Sequence, residues 1–280
     1  MCGIASIVIN EQHRRSREEI SRLVDVFTNC LLFNEARGRD ASGVVVIQRD
    51  GSYHMLKAPV PVSQLIKTQE YKMIMAEIGN ETVAVLGHAR KPTKGSPLNN
   101  LNNHPVQVGS LIGVHNGIVQ NDNEIFQSLG LRRKAEVDTE ALFTILLEQP
   151  VPIRDGLVYC PREAGELKSL AQQYARRLRV ITGSYAFLAV DTRCPGLVLL
   201  GKYMRPLSVH YNSQMGVWFF SSRYIFLRKA FGKSVITEAI KHGTFHLFDG
   251  RTGQSVSVGI DHQEDVPLVP SSQNSVSDTV

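Results

Sequence analysis

Met1-Cys2-Gly3-Ile4-Ala5-Ser6-Ile7-Val8-Ile9 opens the chain, and the polar stretch Asn10-Glu11-Gln12-His13-Arg14-Arg15 ends that run. A short, almost wholly apolar run bounded in this way reads as a buried strand. Its second residue carries a chemical possibility. If Met1 is removed, Cys2 holds a thiol and a free α-amine on one residue, a nucleophile with its own base. An α-amine titrates near ~8 against ~10.4 for lysine, so part of it is neutral and able to accept a thiol proton near neutral pH. Taken alone, a second-position cysteine is as readily the incidental start of a strand.

Outward from this run the chain alternates clear signals. Ser16 and Glu19 have capping-box spacing, and Ile20, Leu23, Val24, Phe27 and Leu31 follow at helical period, which predicts a helix over 17–33. A polar loop, Arg37-Gly38-Arg39-Asp40-Ala41-Ser42-Gly43, precedes a hairpin of 44–49 and 53–57 across Asp50-Gly51. Further helices are expected over 62–78, 122–129, 139–147, 163–179 and 222–231, with a proline-containing loop at 150–161. Strands are expected at 82–87, 106–108, 111–114, 184–190, 197–200, 207–211, 217–221, 244–248 and 254–258. Many strands with helices in two groups, and no regular βαβ alternation, give an α+β class rather than a Rossmann fold. Residues 261–280 are polar and poor in large apolar side chains, so a disordered tail is expected after a single domain spanning 2–260.

Composition narrows the classes. The 280 residues are 42% hydrophobic and 20% charged, as in globular proteins. No apolar run reaches the roughly 18 residues of a membrane span, and no secretory segment is evident, which points to the cytoplasm. Cys2, Cys30, Cys160 and Cys194 lie far apart with no Cys-x-x-Cys pair, arguing against a zinc site and against a disulfide framework, and so for reduced thiols. The net charge of +5 comes from scattered residues, apart from Arg132-Arg133-Lys134 and Arg176-Arg177. Without interleaved aromatics this pattern disfavours direct nucleic-acid binding.

Three loop or strand-end segments gather within a short span: Gly87-His88-Ala89-Arg90-Lys91-Pro92-Thr93-Lys94-Gly95, Asn103-His104-Pro105 and His115-Asn116-Gly117. Together with Met1-Cys2-Gly3-Ile4, Arg37-Gly38-x-Asp40-x-x-Gly43 and Asp138-Thr139-Glu140, in this order, they make the chain resemble the class II glutamine amidotransferases. Thr182-Gly183-Ser184-Tyr185-Ala186, Arg205-Pro206-Leu207 and Phe219-Phe220-Ser221-Ser222 look like the second half of that domain, so the resemblance covers about 2–260.

The resemblance implies a four-layer αββα sandwich of the N-terminal nucleophile hydrolase type and a glutaminase activity without cofactor or metal. It implies that Cys2 attacks the side-chain amide of glutamine and forms a γ-glutamyl thioester, while Asn116 and the Gly117 N–H receive the oxyanion. It further implies that Arg90 clamps the α-carboxylate, Asp138 holds the α-ammonium, Thr93 adds a polar contact and His104 supports the loop. Read from the residues alone, Asn116-Gly117 equally suits a hairpin turn, Asp138 a helix cap and Arg90 a surface position.

The chain departs from the family pattern at Lys91 and Lys94, where an aromatic residue and His or Gln are frequent, and at Arg39, where Tyr or Pro is usual. A more basic pocket rim is expected. No phosphate loop, metal motif or cofactor fingerprint accompanies the constellation. The expected role is therefore a glutaminase subunit that delivers ammonia to a synthase, ligase or transferase partner protein. A non-catalytic scaffold of the same fold, an amidohydrolase acting on another amide, and a basic nucleic-acid-binding module stay open as alternatives.

Overall fold

The computed structural model describes residues 1–148, 151–154 and 157–260. Its first part runs β1 (Gly3–Ile9), α1 (Arg17–Asn34), β2 (Ala41–Gln48), β3 (Tyr53–Ala58), α2 (Val62–Leu65), α3 (Gln69–Ala76) and β4 (Thr82–Arg90). The middle holds β5 (Val106–Val108), β6 (Leu111–Val119), α4 (Asp122–Ser128), α5 (Thr139–Leu147), a small hairpin of β7 (Ile153–Arg154) and β8 (Leu157–Val158), and α6 (Ala164–Leu178). The last part is β9 (Gly183–Asp191), β10 (Leu197–Tyr203), β11 (Ser208–Asn212), β12 (Val217–Ser221), α7 (Tyr224–Phe231), β13 (Glu238–Ala239), β14 (Thr244–Asp249) and β15 (Gln254–Gly259).

Apart from the β7–β8 hairpin, two antiparallel sheets carry these strands, one in the order β13-β11-β12-β1-β4-β2-β3 and the other β15-β14-β10-β9-β6-β5. Side-chain alternation along each strand sorts the core into three apolar layers. On β1, Ala5, Ile7 and Ile9 face α1 and α7, meeting Leu23, Phe27, Leu31 and Leu227. Ile4 and Val8 point the other way, joining Leu86 of β4, Val114 of β6 and Leu188 of β9 between the sheets. Beyond the second sheet, Tyr185, Phe187 and Phe245 meet Phe143 of α5 and Tyr174 and Leu178 of α6. The result is helix, sheet, sheet, helix, the α+β sandwich expected from the sequence. Because both faces of each central strand are covered, those strands read as apolar runs rather than as alternating patterns.

Local chemistry sets the element ends. Ser16 accepts from Glu19 N at 3.2 Å while the Glu19 carboxylate accepts from Ser16 N at 2.8 Å, so the capping box forms and α1 begins where its spacing predicts. The helix expected over 62–78 is instead two. The Thr68 hydroxyl donates to Leu65 O at 2.8 Å and accepts from Tyr71 N at 3.2 Å, closing α2 and starting α3. Asn116-Gly117 is not a turn: both residues lie inside β6, paired with Ala186 and Tyr185 of β9. The expectation of reduced cysteines also needs correction, for Cys160 and Cys194 form a disulfide with their Cα atoms 5.7 Å apart. The fold brings the segment after β8 against the turn after β9, and Arg251 holds Cys160 O there at 3.2 Å. A separation of 34 residues carries no local signature of that pairing. The tail expected at 261–280 lies outside the described residues.

The middle layer sets a stability test. Leu188 is fully buried between the sheets, whereas Ile236 is 84% exposed. Leu188→Ala should cost about 2–5 kcal/mol in urea unfolding, and Ile236→Ala should stay within about 0.5 kcal/mol of the parent. Equal effects of the two substitutions would contradict the layer assignment.

Candidate functional site

At one end of the sandwich the apolar middle layer gives way to buried polar side chains. Cys2 precedes β1, and the β1–β4 register sets Gly3 opposite Ala89, which brings Lys91 beside the thiol. The Cys2 Sγ–H donates to Lys91 O at 3.2 Å, and Lys91 N lies 3.3 Å from the sulfur. Arg37, in the turn after α1, donates from Nε to Cys2 O at 2.6 Å. The following Gly38 lies against the end of β4, where a Cβ would come 2.4 Å from the Arg90 carbonyl carbon, so this close approach requires glycine. Burial pushes the partly buried Cys2 thiol above its ordinary pKa, opposed by the Lys91 backbone and the charges of the N-terminus, Arg90 and Arg37. A thiol so held requires a base before it can attack.

Arg90 ends β4 as a buried guanidinium. Nη1 donates to Asn103 Oδ1 at 2.8 Å, and Nη2 donates to Lys94 O and Gly95 O at 2.6 and 2.9 Å. Three of its N–H bonds thus shape the 91–105 loop. Asn103 Nδ2 closes that loop on Pro97 O at 2.7 Å, and Asn102 Nδ2 reaches Glu136 Oε2 at 2.6 Å. Burial lowers the Arg90 pKa, while Cys2, Asp40 and Asp138 are near enough for their charges to oppose that shift. Thr93 is exposed on this loop.

Asp138 is the N-cap residue of α5, yet its side chain makes no cap bond. Instead Oδ2 accepts from Val119 N at 2.7 Å, fastening the end of β6 to the start of α5. The next residue, Thr139, meets His104 Nε2 and His115 Nδ1, each 2.9 Å from its hydroxyl. Glu140 accepts from Lys134 N at 2.8 Å and Ala135 N at 2.9 Å. Each member of Asp138-Thr139-Glu140 therefore secures a different segment around the site.

Asn116 and Gly117 project from β6 of the second sheet. A Cβ on Gly117 would sit 2.0 Å from Ser184 O on β9, so no larger residue fits there. Asn116 is 3% exposed; its Nδ2 donates to Ser222 Oγ at 2.8 Å, and its Oδ1 lies 3.1 Å from His88 Nε2. Ser222 and His88 are contacts that the sequence reading did not assign to the site. The quoted Phe219-Phe220-Ser221-Ser222 segment was the available signal for Ser222, but nothing local connects it to a residue 106 positions away. The His88 and His104 rings lie 4.2 Å apart. Burial holds the His88 pKa down at about 3 and lowers those of His104 and His115, so all three rings are neutral near pH 7.

The basic rim is only partly free. Lys94 Nζ and Arg133 Nη2 both bind the buried Asp122 carboxylate at 2.7 Å, and Arg39 pairs with Glu35 at 3.2 Å. An open cavity of about 460 Å³ beside the N-terminus is lined by Met1, Arg37, Arg39, Asp40, Lys91 and Arg223 among others. Among the described residues, no group of three His, Cys, Asp or Glu side chains is arranged to hold a metal. No helix there is long and apolar enough to cross a membrane. The site offers a thiol, a guanidinium, a carboxylate and a side-chain amide, a set able to bind both ends of a zwitterion while sulfur attacks a carbonyl.

No protein-family model matches the chain. It is 30% identical over 215 residues to glutamine–fructose-6-phosphate aminotransferase (isomerizing) of Agrobacterium fabrum, a match covering 76% of this chain and 30% of that protein. It is 27% identical over 224 residues to 7-cyano-7-deazaguanine synthase 2 of Sulfurisphaera tokodaii, covering 79% and 43%. The chain thus spans less than half the length of these curated relatives. Among solved structures, the glutamine phosphoribosylpyrophosphate amidotransferase of B. subtilis, complexed with ADP and GMP, superposes with a TM-score of 0.66 at 17% identity, over 94% of this chain and 50% of that one. A class-II glutamine aminotransferase domain protein of Silicibacter pomeroyi gives 0.51 at 11% identity, over 92% and 99%.

The neutral histidines give the fold a signed pH response. The unfolded chain protonates such rings near ~6.5, whereas burial keeps them neutral in the fold. Below that value the unfolded state binds more protons. The contribution is therefore complete above about 6.5 and is lost as pH falls toward the folded value, about 3 for His88. Urea midpoints should drop from about pH 7 to about pH 5, each ring adding up to ~1.4 kcal/mol per pH unit, and His88→Gln should flatten the slope. A midpoint that stays constant over this range would contradict the assignment.

Proposed function

We propose that this chain, which carries a class II glutamine amidotransferase domain of the N-terminal nucleophile fold, hydrolyses glutamine to glutamate and ammonia through Cys2. The observation that carries the reading is the meeting of four groups from separate elements at one end of the sandwich. The Cys2 thiol lies against Lys91, which directly follows Arg90 at the end of β4, Asp138 holds Val119 two residues beyond Gly117 on β6, and Asn116 is hydrogen-bonded to the residue that also holds β1.

In this reading Met1 is removed and the Cys2 α-amine takes the thiol proton. Sulfur then bonds to the glutamine side-chain carbonyl carbon, and the oxygen becomes an oxyanion held by the Asn116 amide and the Gly117 N–H. When the tetrahedral species collapses, the C–N bond breaks and the protonated amine returns its proton to departing ammonia. Water next attacks the thioester, releasing glutamate and restoring the thiol. Arg90 retains N–H groups beyond the three used by the loop, and these suit the α-carboxylate. Asp138 retains Oδ1 for the α-ammonium. Thr93 provides a further contact from the exposed loop.

The ammonia passes, in the same proposal, to an acceptor site on a separate synthase, ligase or transferase partner. Support comes from the relatives, more than half of whose lengths lie beyond the matched part and whose names are those of a synthase and an aminotransferase. The cationic cavity beside Met1 favours an anionic surface or acceptor there. A cytoplasmic setting suits the free Cys2 thiol, whereas the Cys160–Cys194 bond is of the kind that persists in oxidising surroundings.

Intact-mass measurement of the purified chain should show loss of Met1, and Cys2→Ala should abolish glutamine hydrolysis while leaving the circular dichroism unchanged. A glutamine-like electrophile should label Cys2. It should spare Cys30, which is buried with its thiol pushed up to about 12, and the bonded Cys160 and Cys194. Retained Met1, or undiminished turnover by the Cys2 variant, would sink the reading.

A further inference from the structure

We infer that Ser222 is a positioning residue for the side-chain amide of Asn116, coupling it to the strand that carries Cys2. This rests on the glutamine reading for the roles of Cys2 and Asn116. Ser222 lies just beyond β12, fully buried, and its hydroxyl oxygen accepts from Ile4 N at 2.8 Å and from Asn116 Nδ2 at 2.8 Å. Its own N–H donates to Ile4 O at 3.0 Å, so Ser222 holds both backbone groups of the residue two positions after Cys2. A serine hydroxyl has two lone pairs, and here each receives one hydrogen.

The orientation of the Asn116 amide follows from its neighbours. His88 Nε2 is 3.1 Å from His115 O, a carbonyl that can only accept, so this nitrogen carries the ring hydrogen. The same Nε2 lies 3.1 Å from the Asn116 side chain, whose nearest atom must therefore be the acceptor Oδ1. Nδ2 then faces Ser222, and one of its two hydrogens is taken by that hydroxyl. An amide is planar. With Oδ1 anchored by β4 and one N–H anchored by Ser222, the direction of the second N–H is fixed, and this is the donor left for the oxyanion.

The hydroxyl consequently sets the amide relative to the strand on which the nucleophile sits. Ser221 offers a built-in comparison. It is equally buried, but its Oγ accepts from Asn34 Nδ2 of α1 at 2.9 Å and lies on a different network. Loss of a buried serine hydrogen bond in general and loss of this particular one can thus be separated.

The test uses the mature full chain. In steady-state glutamine hydrolysis, Ser222→Ala should lower kcat by about 10–100-fold with KM within about threefold of the parent, because a misdirected donor weakens the transition state more than ground-state binding. Ser222→Thr, which keeps a hydroxyl, should recover part of the loss, and Ser221→Ala should stay within about twofold of the parental kcat. If Ser222 acts through Asn116, adding Ser222→Ala to Asn116→Ala should give no further loss. Parental kcat in Ser222→Ala, or losses that multiply in the double variant, would overturn the inference. A parent chain without glutaminase activity would defeat the glutamine reading instead. In that event the Asn116 side-chain amide, identified by NMR through its disappearance in Asn116→Ala, still decides the positioning claim. Solvent-exchange protection of its N–H pair should be lost in Ser222→Ala and kept in Ser221→Ala, and unchanged protection in Ser222→Ala would refute the role.

Discussion

The apolar layer between the two sheets constrains everything else in the molecule. Ile4, Val8, Leu86, Val114 and Leu188 make it almost wholly apolar, with Ser6 a buried polar side chain alternating with Ile4 and Val8 on β1, and the polar groups gather where β1, β4 and β6 leave it. At that edge each buried polar group must find a partner or lose the hydration it had in water. Most of the short contacts around Cys2 meet that demand: Arg37 on the Cys2 carbonyl, Ser222 between Ile4 and Asn116, and Asp138 on Val119. The same bonds that satisfy these groups fix the distances between two sheets that share no backbone ladder.

The loop after β4 illustrates how a cation can serve as scaffold. Arg90 is buried and spends donors on Asn103, Lys94 and Gly95, and the asparagines in turn close the loop on Pro97 and Glu136. The basic departures noted in the sequence are moderated in a similar way. Asp122, itself buried, takes both Lys94 and Arg133, so two of the charges that suggested a strongly cationic rim are neutralised by one carboxylate. What stays open near the N-terminus is the group of Arg37, Lys91 and Arg223 around the cavity.

Much of this architecture was legible in the order of residues, because its signals are local. The apolar run at the start, the Ser16–Glu19 capping box and the period of Leu23, Phe27 and Leu31 each depend on neighbours along the chain, and each marks the element found. The places where the residues alone left alternatives open depend on distant partners. Asn116-Gly117 favours a hairpin by itself, but pairing with β9 and the close approach of Ser184 keep it extended. Asp138 sits where a cap belongs, yet its carboxylate accepts from Val119 N instead of from the first turn of α5. Ser222 likewise meets Asn116 only when the sheets stack, and the disulfide partners meet only when the segment before α6 reaches the turn after β9. Cys2, Arg90, Asn116 and Asp138 stand out in the sequence as a proposed set, whereas the groups that contact them, such as Ser222, carry no local signal.

Thr139 has one hydroxyl hydrogen and two imidazole neighbours, His104 and His115, at equal distances. It can give that hydrogen to one ring and must then receive from the other, so the two rings adopt complementary tautomers. The leftover nitrogens, His104 Nδ1 and His115 Nε2, have no hydrogen-bond partner among the described residues, and one of them carries a hydrogen when the other does not. Interchanging the two arrangements moves hydrogens without moving net charge. The interchange needs a proton to pass from one leftover nitrogen to the other, and neither has a partner among the described residues to carry it, so the arrangement adopted when the rings are buried is the one the interior keeps.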